Sequence, residues 1–348
     1  MNGEKLNKMV FHHCFMKCPM HYIFRTKEPL KIRLIFCTLY IFSKVYKPKV
    51  EGYRMMKFGC NATFWQNNWG LTVDEYLEMI NKLADVGFDV IEISANHLYY
   101  MSDEDIAKMK AEGKKRNMEF STNSGPAKKY DLASSDENVR KTGIAYFEKI
   151  MENMNKLGSK ALIGAIYSFW PTDYVETDKE AAWERSILCL QELSKTAEKY
   201  DITIALEVLN RNETYILTDC AEALEYCARV GGNRVKILLD TYHMNIEEDN
   251  MYDAIRRAGD MLAHVHVGEC NRKLPGMNNS INWKEIGKAL RDIKYEGYVV
   301  MEPFLLNGGE IGRDCRVFRD LSDGADDKKM TEMITVSLQY LKNCCLGE

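Results

Sequence analysis

From Lys57 to the C-terminus, short apolar runs alternate with longer stretches whose apolar residues recur every three or four positions. The short runs read as buried strands over residues 57–61, 90–94, 119–122, 161–165, 203–207, 236–240, 263–267 and 298–302. The longer stretches read as helices with one buried face, over residues 73–86, 139–157, 180–200, 221–230, 251–257, 283–293 and 328–341. In the first of these, Tyr76, Leu77, Ile80 and Leu83 share a face. Thr72-Val-Asp-Glu75 has the form of a capping box, and Gly87, Gly158 and Gly231-Gly232 stand where helix C-caps belong. Strands that alternate with helices imply a parallel sheet. Eight such units, with no Gly-rich dinucleotide turn after the first strand, predict an α/β protein built as one closed (β/α)8, or TIM, barrel.

Four of the predicted strands end in the same kind of residue. Ile204-Ala-Leu-Glu207, Ile237-Leu-Leu-Asp240, His264-Val-His266 and Val299-Val-Met-Glu302 each close an apolar run with a carboxylate or an imidazole. One such residue is explained by a salt bridge at a strand end; four in succession are not. In a parallel barrel the strand C-termini share one face, so Glu207, Asp240, His266 and Glu302 converge there. Three carboxylates and one imidazole suit one hard or borderline divalent cation, Mn²⁺, Co²⁺ or Mg²⁺, and the lack of thiolates argues against structural zinc. His264 lies two residues before His266 and points the same way; it reads as an interior residue with a hydrogen-bond partner, not a ligand. His97, after the second strand, reads equally as a cavity residue and as an exposed loop residue.

The loops that follow these strands add polar groups. Glu213 comes after strand five, His243 after strand six and Arg272 after strand seven. Together they offer an acceptor, a switchable donor and a fixed cation within reach of the metal, a set suited to a polyhydroxylated ligand. Each alone would pass for a surface charge. Gly308-Gly309-Glu310, after strand eight, reads as a short flexible turn rather than a phosphate loop.

Charge and composition narrow the function. The chain has 348 residues, of which 46% are hydrophobic and 28% charged, ordinary for a globular protein with a sizeable core. Residues 1–55 hold 11 Lys and Arg against 3 Asp and Glu, leaving 36 against 48 in residues 56–348. The acidic body carries no nucleic-acid footprint. The 11 cysteines are scattered without metal-finger spacing, so reduced thiols and a cytoplasmic location are expected. Residues 1–55 lack helical or alternating periodicity and the order of a signal peptide. Their longest apolar run, Leu34 to Phe42, is too short to cross a bilayer. This extension is expected to be disordered or loosely attached; a basic membrane-surface anchor is its second reading. Its Phe, Ile, Lys and Tyr bias is what translated AT-rich DNA gives, and the body starts abruptly at Met55-Met56-Lys57. A natural start at Met55 or Met56 is therefore expected.

Five runs in order resemble the ketose 3-epimerases, the D-tagatose and D-allulose (D-psicose) 3-epimerase family. They are Leu206-Glu-Val-Leu-Asn-Arg211, the run from Leu239 to Asp249, His264-Val-His-Val-Gly-Glu-Cys-Asn-Arg272, Met301-Glu-Pro-Phe304 and Arg319-Asp-Leu-Ser322. The similarity runs from about Met56 to the C-terminus and takes in Tyr167-Ser-Phe-Trp-Pro171. The resemblance implies a metal-dependent barrel that inverts C3 of free ketohexoses, as in D-fructose to D-allulose or D-tagatose to D-sorbose. It implies Glu207, Asp240, His266 and Glu302 as metal ligands, Glu207 and Glu302 also as the acid/base pair, and Glu213, His243 and Arg272 as the residues that hold O1–O3. It further implies a homodimer or homotetramer. The departure is in the first strand: where many relatives carry paired tyrosines, this chain has Cys60-Asn61-Ala62-Thr63. That wall is expected to be smaller and more polar, with Trp65, Trp69 and Trp170 as candidate apolar walls.

The same superfamily holds aldose–ketose isomerases, inosose dehydratases and an apurinic-site endonuclease. The endonuclease needs more histidines and a basic face, whereas residues 56–348 hold four histidines and an acidic excess. An aldose–ketose isomerase is the alternative enzyme reading, and a non-catalytic binding module the alternative outside enzymes.

Overall fold

The computed structural model describes residues 56–171, 173–175 and 177–347. The expectations for residues 1–55 lie outside the described residues. Eight parallel strands form a closed barrel in sequence order. They are β1 Lys57–Asn61, β2 Val90–Ser94, β3 Glu119–Ser124, β4 Ala161–Gly164, β5 Thr203–Val208, β6 Val235–Asp240, β7 Leu262–Val267 and β8 Tyr298–Met301. The ring closes where β1 pairs with β8, Lys57 opposite Tyr298 and Cys60 opposite Met301. All eight expected strands are present, β1 and β2 with the expected ends and the others with an end moved by one or two residues.

The helices surround the ring: α1 Val73–Val86, α2 Ala95–Tyr100, α3 Asp103–Arg116, α4 Glu137–Leu157, α5 Lys179–Tyr200, α6 Cys220–Val230, α7 Thr241–Glu247, α8 Met251–Ala258, α9 Trp283–Asp292, α10 Gly309–Asp314 and α11 Asp327–Leu346. At the start of α1 the Thr72–Glu75 capping box is formed in both directions, and Gly87 ends the helix at φ 101°. Helix α3 was not legible as an amphipathic stripe, because its fourteen residues are dominated by charge; Ser102 caps it, and it buries only Ile106, Met109 and Gly113. Helices α2, α7 and α10, of six or seven residues, correct three loop readings. Gly308-Gly309 does not form a free turn: Gly308 is the N-cap of α10, and a Cβ on Gly309 would lie 2.1 Å from the carbonyl oxygen of Asn67.

The outward faces of the strands and the inner faces of the helices make one large core. Inside the ring, Ile163, Ala205 and Leu238 form a separate small apolar cluster. The ring interior is tight on the β1 side, where a Cβ on Gly59 would lie 2.9 Å from Val90 Cβ. Among the described residues, the cysteines are free thiols and no helix is long and apolar enough to cross a membrane.

Candidate active site

The strand ends bring Glu207, Asp240, His266 and Glu302 together: one ligand atom from each lies within 4.8 Å of the others, and all four residues are buried. His266 Nδ1 is 3.3 Å from Glu207 Oε1 and 3.4 Å from Glu302 Oε2. Asp240 also caps α7 through Oδ1, which accepts from the backbone N–H of Tyr242 at 2.9 Å. Its Oδ2 is buried without a hydrogen-bond partner among the described residues. Buried carboxylates this close require a cation, so an orphaned carboxylate oxygen within an O,O,O,N donor set fits a hard divalent metal.

The protonation of the metal-free site agrees. Burial pushes the Glu207 carboxyl up to about 7, with Glu302 and Asp240 adding to the effect and His266 opposing it. Burial disfavours the His266 imidazolium, but Glu302, Glu92 and Glu207 outweigh it and hold the ring well above its usual range. Glu207 and His266 are thus the two groups of this set whose proton affinity the surroundings raise.

Beside this cluster stand Glu213 and Arg272, from loops, and His243, which lies on the short helix α7 rather than in a loop. The Arg272 guanidinium has Nη1 at 3.5 Å from Asp240 Oδ2 and 3.6 Å from Glu302 Oε2, while Nη2 lies 3.5 Å from Glu213 Oε1. It stacks over Tyr242, with Cζ 3.5 Å from the ring centroid. Burial disfavours its charge, but the three carboxylates raise its pKa further. Arg272 sits at φ 64°, in a turn closed by its own N–H to the Glu269 carbonyl. Glu269 is fully buried and accepts from the N–H groups of Gly276 and Ser280 and from Trp283 Nε1, which ties the loop to the barrel. Trp170 Nε1 donates to Glu213 at 2.9 Å. Burial would raise the Glu213 pKa, but His243, Arg272 and these hydrogen bonds hold it below the usual value.

Of these groups, Glu207, Glu302, Glu213, His243, Arg272 and Trp170 line a cavity of about 270 Å³, suited to one small polar molecule. Asn61, Ala62 and Thr63 form part of its wall, so that side is small and polar as expected, while Cys60 is not among the lining residues. Asn61 Oδ1 accepts from Thr63 N–H at 2.9 Å and Thr63 Oγ1 at 2.7 Å. Trp69 and Trp170 line the cavity edge-on, 5.9 Å apart. Trp65 does not: it packs under the Lys82 ammonium, 4.1 Å from the ring. His97, half-buried on α2, also lines the cavity, its Nδ1 accepting from Leu71 N–H at 3.3 Å.

Sequence reading missed Glu92 and Asn123. Glu92 is fully buried in the ring interior, 3.0 Å from His266 Nε2 and 3.2 Å from His264 Nε2. His264 lies in the interior as expected, but neither of its ring nitrogens has the expected hydrogen-bond partner among the described residues, Glu92 being close without an aligned hydrogen bond. Burial would raise the Glu92 pKa, but the two imidazoles outweigh that and hold it well below the carboxylate range. The available signal was a lone charge amid Val90, Ile91 and Ile93 on a buried strand.

Comparison with known proteins agrees with this architecture. Residues 80–321 match the xylose isomerase-like TIM barrel family. The chain is 42% identical over 278 residues to a D-psicose 3-epimerase of Agrobacterium fabrum, covering 80% of this chain and 95% of that one. It is 41% identical over 286 residues to a D-psicose 3-epimerase of Ruminiclostridium cellulolyticum, covering 82% and 96%. A crystal structure of a D-psicose 3-epimerase determined in the presence of D-fructose superposes with a TM-score of 0.81 at 40% identity, covering 83% of this chain and 99% of that one. A barrel with this strand order, this cavity and this extent of identity belongs to the xylose isomerase-like TIM barrel family and, within it, to the ketose 3-epimerases, which are isomerases.

Proposed function

We propose that this chain epimerises free ketohexoses at C3, interconverting D-fructose and D-allulose, with D-tagatose and D-sorbose as a second pair. The observation that carries the reading is the convergence of Glu207, on β5, and Glu302, directly after the non-adjacent strand β8, at one cavity that also holds Arg272, His243 and Glu213. Identity of 41–42% to D-psicose 3-epimerases supports the same substrate class.

The C3 proton of a ketose is acidic because the C2 carbonyl takes up the charge as a cis-enediolate. Inversion requires removal of that proton from one face and its return on the other. Glu207 and Glu302 are the two carboxylates assigned to these steps, with roles that exchange with the direction of reaction. Glu207, Asp240, His266 and Glu302 would hold one divalent cation, Mn²⁺ or Co²⁺ before Mg²⁺. That cation would supply Lewis-acid polarisation of the substrate's O2 and O3. Arg272 and His243 donate to the O1–O3 end, and Glu213 accepts from its hydroxyls. Trp69, Trp170 and Phe304 exclude water around the sugar.

The test is product chromatography after chelator-treated protein meets D-fructose in D₂O, with and without Mn²⁺. D-allulose carrying deuterium at C3 and made only with metal is the expected result. An aldose labelled elsewhere would instead identify an aldose–ketose isomerase.

A further inference from the structure

Glu92 is a charged residue that the proposed reaction does not use. It stands mid-strand in β2, fully buried beneath the candidate metal cluster. Ser121 Oγ donates to its Oε2 at 2.9 Å and Asn123 Nδ2 to its Oε1 at 3.3 Å. The same Asn123 amide reaches Glu302 Oε1 at 3.2 Å. His266 faces two ways: Nδ1 points at Glu207 and Glu302, and Nε2 lies 3.0 Å from Glu92 Oε1. That last contact is short but off the ring N–H axis, and Nε2 has no aligned hydrogen-bond partner among the described residues.

An imidazole that offers the Nδ1 lone pair to a metal must carry its proton on Nε2. Buried, that proton requires an acceptor, and Glu92 is the carboxylate beside it. We propose that Glu92 is the positioning residue of this site: it keeps the His266 proton on Nε2, leaves Nδ1 bare toward the cluster and, through Asn123, fixes the orientation of Glu302. The inference rests on the metal reading of Glu207, Asp240, His266 and Glu302. Partners of this kind typically govern metal affinity by 10–100-fold. A glutamine at position 92 would turn an amide N–H₂ toward one of the two rings and favour the wrong tautomer. An aspartate would keep the charge but withdraw the oxygens from His266 by one methylene. Ser121 touches Glu92 but not His266, so Ser121→Ala is the control.

The full chain, stripped by chelator, is titrated with Mn²⁺, and free Mn²⁺ is read by electron paramagnetic resonance for wild type, Glu92→Gln, Glu92→Asp and Ser121→Ala. Circular dichroism of each metal-free variant checks folding, and the visible spectrum of the Co²⁺ form reports the ligand field. The expected result is one Mn²⁺ per wild-type chain, about 10–100-fold weaker binding in both Glu92 variants with an altered Co²⁺ spectrum, and near-wild-type binding in Ser121→Ala. Should Glu92→Gln fail to fold, Glu92→Asp carries the test. Equal affinity and an unchanged spectrum in a folded Glu92 variant would overturn the positioning role. Two Mn²⁺ per wild-type chain, one of them lost with Glu92, would also overturn it by making Glu92 a ligand. Absence of Mn²⁺ binding to wild type would overturn the metal reading itself.

Discussion

The backbone N–H of Asn210 donates to Nδ1 of His243 at 3.1 Å, and Asn210 Nδ2 lies 2.7 Å from the same nitrogen. A backbone amide can only donate, so Nδ1 holds a lone pair and the His243 proton sits on Nε2. Burial lowers the ring's affinity for a second proton, despite Glu213 and Asp240 nearby. Near neutral pH the ring is an uncharged donor whose Nε2 lies 3.6 Å from Asp240 Oδ2. His243→Ala deletes that donor and leaves the Asn210 N–H buried without an acceptor. Steady-state kinetics on D-fructose should show kcat/KM down by about 10–100-fold, and urea unfolding a loss of about 1–3 kcal/mol. Unchanged kinetics with lowered stability would confine His243 to a structural role.

Glu207→Gln and Glu302→Gln should each lower epimerisation by at least about 10²–10⁴-fold, because each removes the proton acceptor on one face of C3. The two variants should fail differently. With one base left, each retains exchange of the C3 proton with solvent for one epimer and loses it for the other. Proton NMR of D-fructose and D-allulose incubated separately in D₂O reads this directly. Matching exchange patterns in the two variants would contradict a two-base mechanism.

How far the sequence reached is explained by period and length. Most of the strands were legible because a short apolar run precedes an amphipathic helix, and the convergence of Glu207, Asp240, His266 and Glu302 was legible because a carboxylate or imidazole ends four such runs in succession, which packing does not explain. Helices α2, α7 and α10 were not, since six or seven residues cannot display a helical period. Glu92 was missed for a different reason. It sits inside its strand rather than at the end, and its partners Ser121, Asn123, His264 and His266 come from β3 and β7, which sequence distance hides. The contrast between Trp65 and Trp69 was equally hidden: four residues apart, one packs under Lys82 while the other lines the cavity and donates to Asp314 at 3.0 Å.

Chelation should destabilise the barrel mouth. A ligand that binds only the folded state adds RT ln(1 + [L]/Kd), about 2.7 kcal/mol at a hundredfold excess over Kd. The metal-free protein keeps Asp240 Oδ2 unsatisfied and crowds three buried carboxylates. Thermal melting after exhaustive chelation should show a lower midpoint that rises with added Mn²⁺ in a concentration-dependent way. A midpoint indifferent to Mn²⁺ would mean that the cluster holds no such ion.

Glu213 gives a pH dependence whose sign follows from its surroundings. Burial alone would raise its pKa; His243, Arg272 at 3.5 Å, Trp170 at 2.9 Å and Asn210 at 3.4 Å reverse that and lower it from 4.5. A carboxylate more acidic in the folded than in the unfolded chain stabilises the fold fully above the unfolded value and loses that contribution as pH falls through the folded value. Glu213→Gln keeps the shape, removes the charge and leaves Arg272 with two carboxylates instead of three. At pH 7 the variant should be less stable than wild type by about 1–3 kcal/mol. Below about pH 4.5 the gap should close, because wild-type Glu213 then takes up the proton that makes it resemble glutamine. Urea midpoints for both proteins at pH 7.0, about 4.5 and about 3.5 test this, with titrating groups distant from Glu213 cancelling in the difference and its coupled neighbour His243 responding to the substitution. A gap that stays constant down to about pH 3.5 would show that the carboxylate charge is not what Arg272 and Trp170 hold in place.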